Sequence, residues 1–180
     1  MIFSLFRTAK LTQKDVDEME RITNFTPSEI KKFHKRFRLL DKDRNGGIDE
    51  QEFMSIPGLS ENPLVRRVIQ IIDTDKSSSV DFQEFISALS IFSSKGNKED
   101  KLRFAFKVYD VNEDGFISNE ELFSVLQMMV GNNLNDTQLQ QIVDKTMIEA
   151  DEDRDGKLSY EEFKKIIENT DLDTKMTFSF

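Results

Sequence analysis

Apolar residues recur along the chain at helical spacing, in segments separated by short acidic stretches that have no apolar period of their own. Thr26-Pro27-Ser28-Glu29 reads as a capping box with proline at the first helical position, and Ile30, Phe33, Phe37 and Leu40 follow on one helical face. Asn62-Pro63 opens a second run, with Leu64, Val65, Val68, Ile69, Ile71 and Ile72. A third carries Leu102, Phe104, Ala105, Phe106, Val108 and Tyr109, and a further helix is expected from Thr12. The pattern predicts an all-α chain whose helices flank the acidic stretches in pairs.

The acidic stretches share one layout. They start at Asp41, Asp73, Asp110 and Asp151, run for twelve residues, and close on Glu52, Glu84, Glu121 and Glu162. An apolar residue stands four before each start (Phe37, Ile69, Phe106, Met147) and another directly after each closing glutamate (Phe53, Phe85, Leu122, Phe163). The starts lie 32, 37 and 41 residues apart, a spacing that suits a helix-loop-helix unit plus a connector. Position eight of each loop is Ile48, Val80, Ile117 or Leu158, a residue type suited to a short strand that pairs two loops. Ser93-Ser94-Lys95-Gly96-Asn97 is the one small polar run long enough for a hinge. The expected fold is therefore four EF-hands paired into two lobes, with a short two-stranded β pairing in each. Residues 1–25 form an N-terminal extension, 26–94 an N-terminal lobe with loops 41–52 and 73–84, and 95–180 a C-terminal lobe with loops 110–121 and 151–162 and a tail.

Calcium takes six to eight oxygen ligands, and a twelve-residue loop supplies them from positions 1, 3, 5, 7, 9 and 12, the seventh by its backbone carbonyl and the last by both oxygens of a glutamate. The first loop offers Asp41, Asp43, Asn45, the Gly47 carbonyl, Asp49 and Glu52. The second offers Asp73, Asp75, Ser77, the Ser79 carbonyl, Asp81 and Glu84. The third set is Asp110, Asn112, Asp114, the Phe116 carbonyl, Ser118 and Glu121, and the fourth is Asp151, Asp153, Asp155, the Lys157 carbonyl, Ser159 and Glu162. Magnesium demands stricter octahedral geometry and fewer protein ligands, so the glutamate at position twelve favours calcium. Position six needs a left-handed turn, which Gly46, Gly115 and Gly156 provide; the second loop has Ser78 there. Up to four calcium ions are expected, the second site being the weakest.

Charge and composition narrow the class. A net charge of -9, from 34 acidic and 25 basic side chains, argues against nucleic acid, whose phosphates would repel the chain. The absence of cysteine excludes disulfides, thiolate metal sites and a cysteine nucleophile. No apolar run approaches the roughly 20 residues that span a bilayer, and the block Ile2, Phe3, Leu5, Phe6 is short of the roughly 7–15 residues of a secretory signal core, so a cytoplasmic protein is expected. The single histidine, His34, falls in Lys-Lys-Phe-His-Lys-Arg-Phe and is expected on a solvated basic helix face. With no catalytic constellation, the chain is expected to be non-enzymatic by itself.

From Leu122 to Val130 seven of nine residues are apolar, more than the three or four per two turns that closing a lobe requires. The excess predicts a second face for a partner, where a pure calcium buffer needs none. Sixteen phenylalanines against seven methionines suit one committed partner over a promiscuous, repacking surface.

Three stretches point further: Lys101-Leu102-Arg103-Phe104-Ala105-Phe106, Leu126 to Leu134 (Leu-Gln-Met-Met-Val-Gly-Asn-Asn-Leu), and Asp136 to Thr146 (Asp-Thr-Gln-Leu-Gln-Gln-Ile-Val-Asp-Lys-Thr). Together with Asn62-Pro63-Leu64-Val65, they resemble the calcineurin B family of regulatory subunits from about Thr26 to the C-terminus. The resemblance implies a permanent heterodimer with the catalytic A subunit of a calcium- and calmodulin-dependent serine/threonine phosphatase, which the two lobes grip by a long apolar helix. It also implies that Leu126, Met129, Val130, Asn133 and Leu134 lie at a shared edge that receives LxVP-type substrates and immunophilin-drug complexes. Members usually begin Met-Gly and carry an N-myristoyl group, whereas this chain reads Met1-Ile2-Phe3. Its apolar N-terminal residues suit a membrane-interface contact, the lobe's own groove or a loose tail, the tail being the expectation. Two alternatives stay open: a calcineurin-B-homologous protein that binds an ion-exchanger tail, and a free calcium buffer.

Overall fold

The computed structural model describes residues 11–169 of the chain. Thr26 caps α2 (Pro27–Leu40) as the capping box foretells: its hydroxyl accepts the Glu29 N–H, and the Glu29 carboxylate accepts the Thr26 N–H in return. Those bonds, with the Lys95 ammonium at 3.1 Å, hold the Glu29 carboxyl down at about 2. Preceding α2 is α1 (Gln13–Ile22), capped in the same way by Thr12 and Asp15. The first loop leads into β1 (Gly47–Asp49) and α3 (Glu50–Met54). α3 has only five residues because Pro57 and Gly58 (φ +86°) turn the chain away.

Asn62 and Pro63 form a turn, in which the Asn62 side chain accepts the Leu64 N–H, and α4 (Val65–Ile72) starts just beyond it. The second loop leads through β2 (Ser79–Asp81) into α5 (Phe82–Phe92). The second half repeats the scheme with α6 (Lys98–Tyr109), β3 (Phe116–Ser118), α7 (Asn119–Val130), a 3-10 turn (Gly131–Asn133), α8 (Asp136–Ala150), β4 (Lys157–Ser159) and α9 (Tyr160–Asn169).

Each pair of loops is joined by a two-stranded antiparallel ladder, β1 with β2 and β3 with β4. The position-eight residues face one another in register, Ile48 with Val80 and Ile117 with Leu158, and all four are buried. The all-α fold with paired EF-hands and short β links is thus realised.

The chain divides into two compact units at Gly96/Asn97. In the first, Ile30, Phe33 and Phe37 of α2 pack with Ile48, Val80, Phe82 and Ile86, and Phe37 meets Phe82 edge-on at 5.3 Å between ring centres. In the second, Phe106, Ile117, Leu122, Val143, Met147, Leu158 and Phe163 form the core.

Three features depart from the expectations of the sequence. Val16 and Met19 of α1 are buried in the core of the first unit, so this helix is a structural part of it and not an appendage. His34 does not sit on a solvated face: it is half-buried, its ring edge-on to Phe82 at 4.8 Å, and burial lowers its affinity for a proton. The run from Ser93 to Lys95 is not a free linker. Ser93 is buried, its hydroxyl donating to the Ser90 carbonyl and accepting the Lys95 N–H, while Asn24 donates to the Lys95 carbonyl and Lys95 pairs with Glu29. The apolar N-terminal block Ile2–Phe6 lies outside the described residues.

Candidate metal centres

Each loop begins at the C-terminal end of an incoming helix and ends in the first turn of an outgoing one, so the rigid parts of the fold fix its first and last ligand positions. Asp41, Asp73, Asp110 and Asp151 are the C-terminal caps of α2, α4, α6 and α8. At the other end, position nine caps the outgoing helix: Asp49 accepts the Glu52 N–H at 2.8 Å, Asp81 that of Glu84 at 2.9 Å, and Ser118 and Ser159 do the same for Glu121 and Glu162. The capping box therefore places the position-twelve glutamate as well.

That glutamate is then clamped over the loop. Glu52 accepts the backbone N–H groups of Lys42 and Asp43 on one oxygen and that of Asp49 on the other. Glu84 repeats this with Thr74, Asp75 and Asp81, and gains the Thr74 hydroxyl at 2.8 Å. Glu121 holds Val111, Asn112 and Ser118, and Glu162 holds Glu152 and Ser159. The amides of positions two and three are functional groups that a search for side-chain ligands overlooks; only the turn geometry reveals them.

Position one turns inward in the same way each time. One oxygen of the aspartate accepts the N–H of position six: Gly46 to Asp41, Ser78 to Asp73, Gly115 to Asp110 and Gly156 to Asp151, at 2.8–3.2 Å. Position six has positive φ in every loop: +91°, +69°, +89° and +86° in chain order. So does position four, where Arg44, Lys76, Glu113 and Arg154 lie at +55° to +61°. The sequence carries no warning of this second left-handed position, since none of the four is glycine or asparagine.

Among the described residues, carboxylates converge within 4.8 Å in three places: Asp41, Asp43 and Glu52; Asp73, Asp75 and Glu84; Asp151, Asp153 and Asp155. These are candidate calcium sites. In the third loop Asn112 takes the place of a carboxylate at position three, leaving Asp110, Asp114 and Glu121 as the acids at positions one, five and twelve.

The donor set fits a hard dication. Asp41 is buried, and its Oδ1 has no hydrogen-bond partner, an arrangement that costs free energy unless a cation completes it. Burial, with the nearby Glu52 and Asp43 charges, pushes the Asp41 carboxyl above its usual range. Burial does the same to Glu84 despite its bonds from Asp81 and Thr74. At Glu121 and Glu162 burial also acts upward but is outweighed by hydrogen bonds from Ser118, Asn112 and Val111, and from Ser159, Glu152 and Asp153, so both carboxyls lie low.

The residues expected at a partner edge cluster at the end of α7. Met129 and Asn133 are exposed and Leu126, Val130 and Leu134 half-buried, while Leu122 and Val125 turn into the interior. Gly131, at φ +52° and ψ -128°, redirects the chain between them.

The pattern of an EF-hand domain pair matches residues 30–90 and again 99–168. The calcineurin B protein of Naegleria gruberi is 61% identical over 170 residues, which covers 94% of this chain and 96% of that protein. The chain belongs to the calcineurin B family. The calcineurin B proteins of Kluyveromyces lactis and Candida glabrata are 58% and 55% identical, over 90% and 93% of this chain and 93% and 95% of theirs. Among the described residues no helix is long and apolar enough to cross a membrane.

Proposed function

We propose that this chain is the calcium-binding regulatory subunit of a calcineurin-type serine/threonine phosphatase, stabilising a catalytic A subunit in a cytoplasmic heterodimer and making its activity respond to calcium. The observation that carries this is the identity with calcineurin B proteins over nine-tenths of the chain. Dephosphorylation belongs to the other chain, and this one supplies the calcium dependence. Leu126, Met129, Val130, Asn133 and Leu134 form the edge presented to the catalytic chain, to LxVP-type substrates and to immunophilin-drug complexes; the exposure of Met129 and Asn133 supports it. Affinity capture from cytosol in calcium tests the assignment. A phosphatase catalytic chain in equal amount is the expected partner; an exchanger tail, or no stoichiometric partner, overturns the reading.

All four loops bind calcium in this proposal, through the side chains at positions 1, 3, 5, 9 and 12 and the carbonyls of Gly47, Ser79, Phe116 and Lys157. The bound ion supplies a charge that gathers each loop's oxygens and re-angles the helices that carry them. The loops differ in strength. All of them place a non-glycine residue at positive φ in position four, so that cost is shared; only the second also does so in position six, at Ser78. A side chain in the left-handed region costs about 1–2 kcal/mol. Nothing lies within 4 Å of a Cβ built on Gly115 or Gly156, so the difference is one of backbone conformation and not of space. Ser78→Gly is therefore expected to tighten the second site by about five- to thirty-fold. Calorimetry of the variant checks this, and an unchanged affinity rejects it.

A further inference from the structure

Of the four residues at loop position seven, Gly47, Ser79, Phe116 and Lys157, only Lys157 carries a charge. β3 and β4 set Ser118 opposite Lys157, and from that register the lysine side chain crosses to the neighbouring loop. Its Nζ donates to Oδ2 of Asp114 at 3.0 Å, across 43 residues of sequence. The Nζ also lies 5.5 Å from the centre of the Phe116 ring. The other oxygen of Asp114 accepts the Phe116 N–H at 2.9 Å. In the first unit the matching position is Ser79, which has no charge to offer, and its hydroxyl turns back onto its own loop beside Ser77.

We propose that the Lys157 ammonium, carried by the fourth loop, sets the calcium affinity of the third loop by opposing the ion at Asp114. This rests on reading both loops as calcium sites. Calcium lies about 2.3–2.6 Å from a ligand oxygen, so an ion on the Asp114 oxygen that Lys157 meets sits no more than about 5.6 Å from Nζ. The lysine acts twice against it: its charge repels the dication, and its hydrogen bond draws away part of the negative charge that Asp114 would offer. Both side chains are about two-fifths exposed, so solvent and salt screen the effect without abolishing it. Lys157 is thus a residue with two roles in two sites: its backbone carbonyl belongs to the fourth loop and its side chain governs the third.

Calcium titration of the full chain followed by amide NMR separates the loops, because Gly115 and Gly156 at position six report the third and fourth individually. Lys157→Met keeps the carbonyl and the apolar stem and removes the charge. It is expected to tighten the third loop by about three- to tenfold at low salt, with the gain shrinking in 1 M KCl. Lys165→Met removes an equal charge that pairs with Glu152, a residue outside the ligand positions, and is expected to change the third loop less than twofold. Unchanged or weaker binding at Gly115 in Lys157→Met overturns the inference, as does an equal gain in both variants, which would reduce it to net charge. A Gly115 resonance that ignores calcium in the unaltered chain would instead reject the third loop as a calcium site.

Discussion

Replacing Glu162 by glutamine is expected to weaken calcium binding in the fourth loop by about two to three orders of magnitude, equivalent to about 3–4 kcal/mol. The glutamate is buried, and each of its oxygens is engaged: one accepts the Glu152 N–H and the other both the N–H and the hydroxyl of Ser159. An amide has one acceptor oxygen, so its nitrogen must face one of these donors as well as lose the charge and the second oxygen that calcium needs. Glu121→Gln in the third loop should behave alike, since Glu121 spans Val111, Asn112 and Ser118 in the same manner. If the C-terminal sites hold the chain on its catalytic partner, both variants lose heterodimer on gel filtration. Glu84→Gln should keep the heterodimer and shift phosphatase activation to higher calcium. A Glu84→Gln chain that failed to assemble at all would end this division of labour between the units.

Gly96→Ala is expected to destabilise the first unit by about 3 kcal/mol, at the upper end of the cost of forcing an extra group into packed structure. A Cβ built on Gly96 runs into the Ile91 carbonyl oxygen and falls 2.7 Å from that of Ser90, at the C-terminal end of α5. These are backbone atoms of a helix that carries Phe82 and Ile86 into the core, so they cannot swing aside as a side chain could. The neighbouring bonds add to the constraint: the Gly96 N–H donates to the Ser93 carbonyl, and Asn24 holds both Ser90 and Lys95. Thermal unfolding followed by a probe in the first unit should show a midpoint lower by roughly 12–24 °C. Were the segment a slack hinge, alanine would leave the midpoint unmoved and Gly96 would be an ordinary linker residue.

Local motifs reach only a few turns along the chain. Helix α2, its cap and its buried face were legible because Thr26, Glu29, Ile30, Phe33 and Phe37 lie within about three turns of one another. The four acidic loops, and the pairing of Ile48 with Val80 and Ile117 with Leu158, were legible because a twelve-residue loop between two helices, with an antiparallel partner, allows little else. Ser78 stood out as the one non-glycine residue among the four at loop position six. The amino-acid sequence by itself therefore determined the elements, the layout of the acidic loops and the family to which the chain belongs.

Through-space contacts decided the remainder. Helical periodicity says that α1 has an apolar face but not what covers it; the fold buries Val16 and Met19 among residues of α2 and α5. A basic neighbourhood in sequence put His34 in solvent, whereas the approach of Phe82, 48 positions on, half-buries it. Small polar residues from Ser93 to Gly96 read as slack until Asn24 and Glu29 are seen to hold them. Lys157 and Asp114 are 43 residues apart, and only the register of β3 and β4 brings the ammonium of one loop against the carboxylate of another. Propensity and spacing act over a few residues, while packing and charge act over a few ångströms, and the tertiary structure alone converts one into the other.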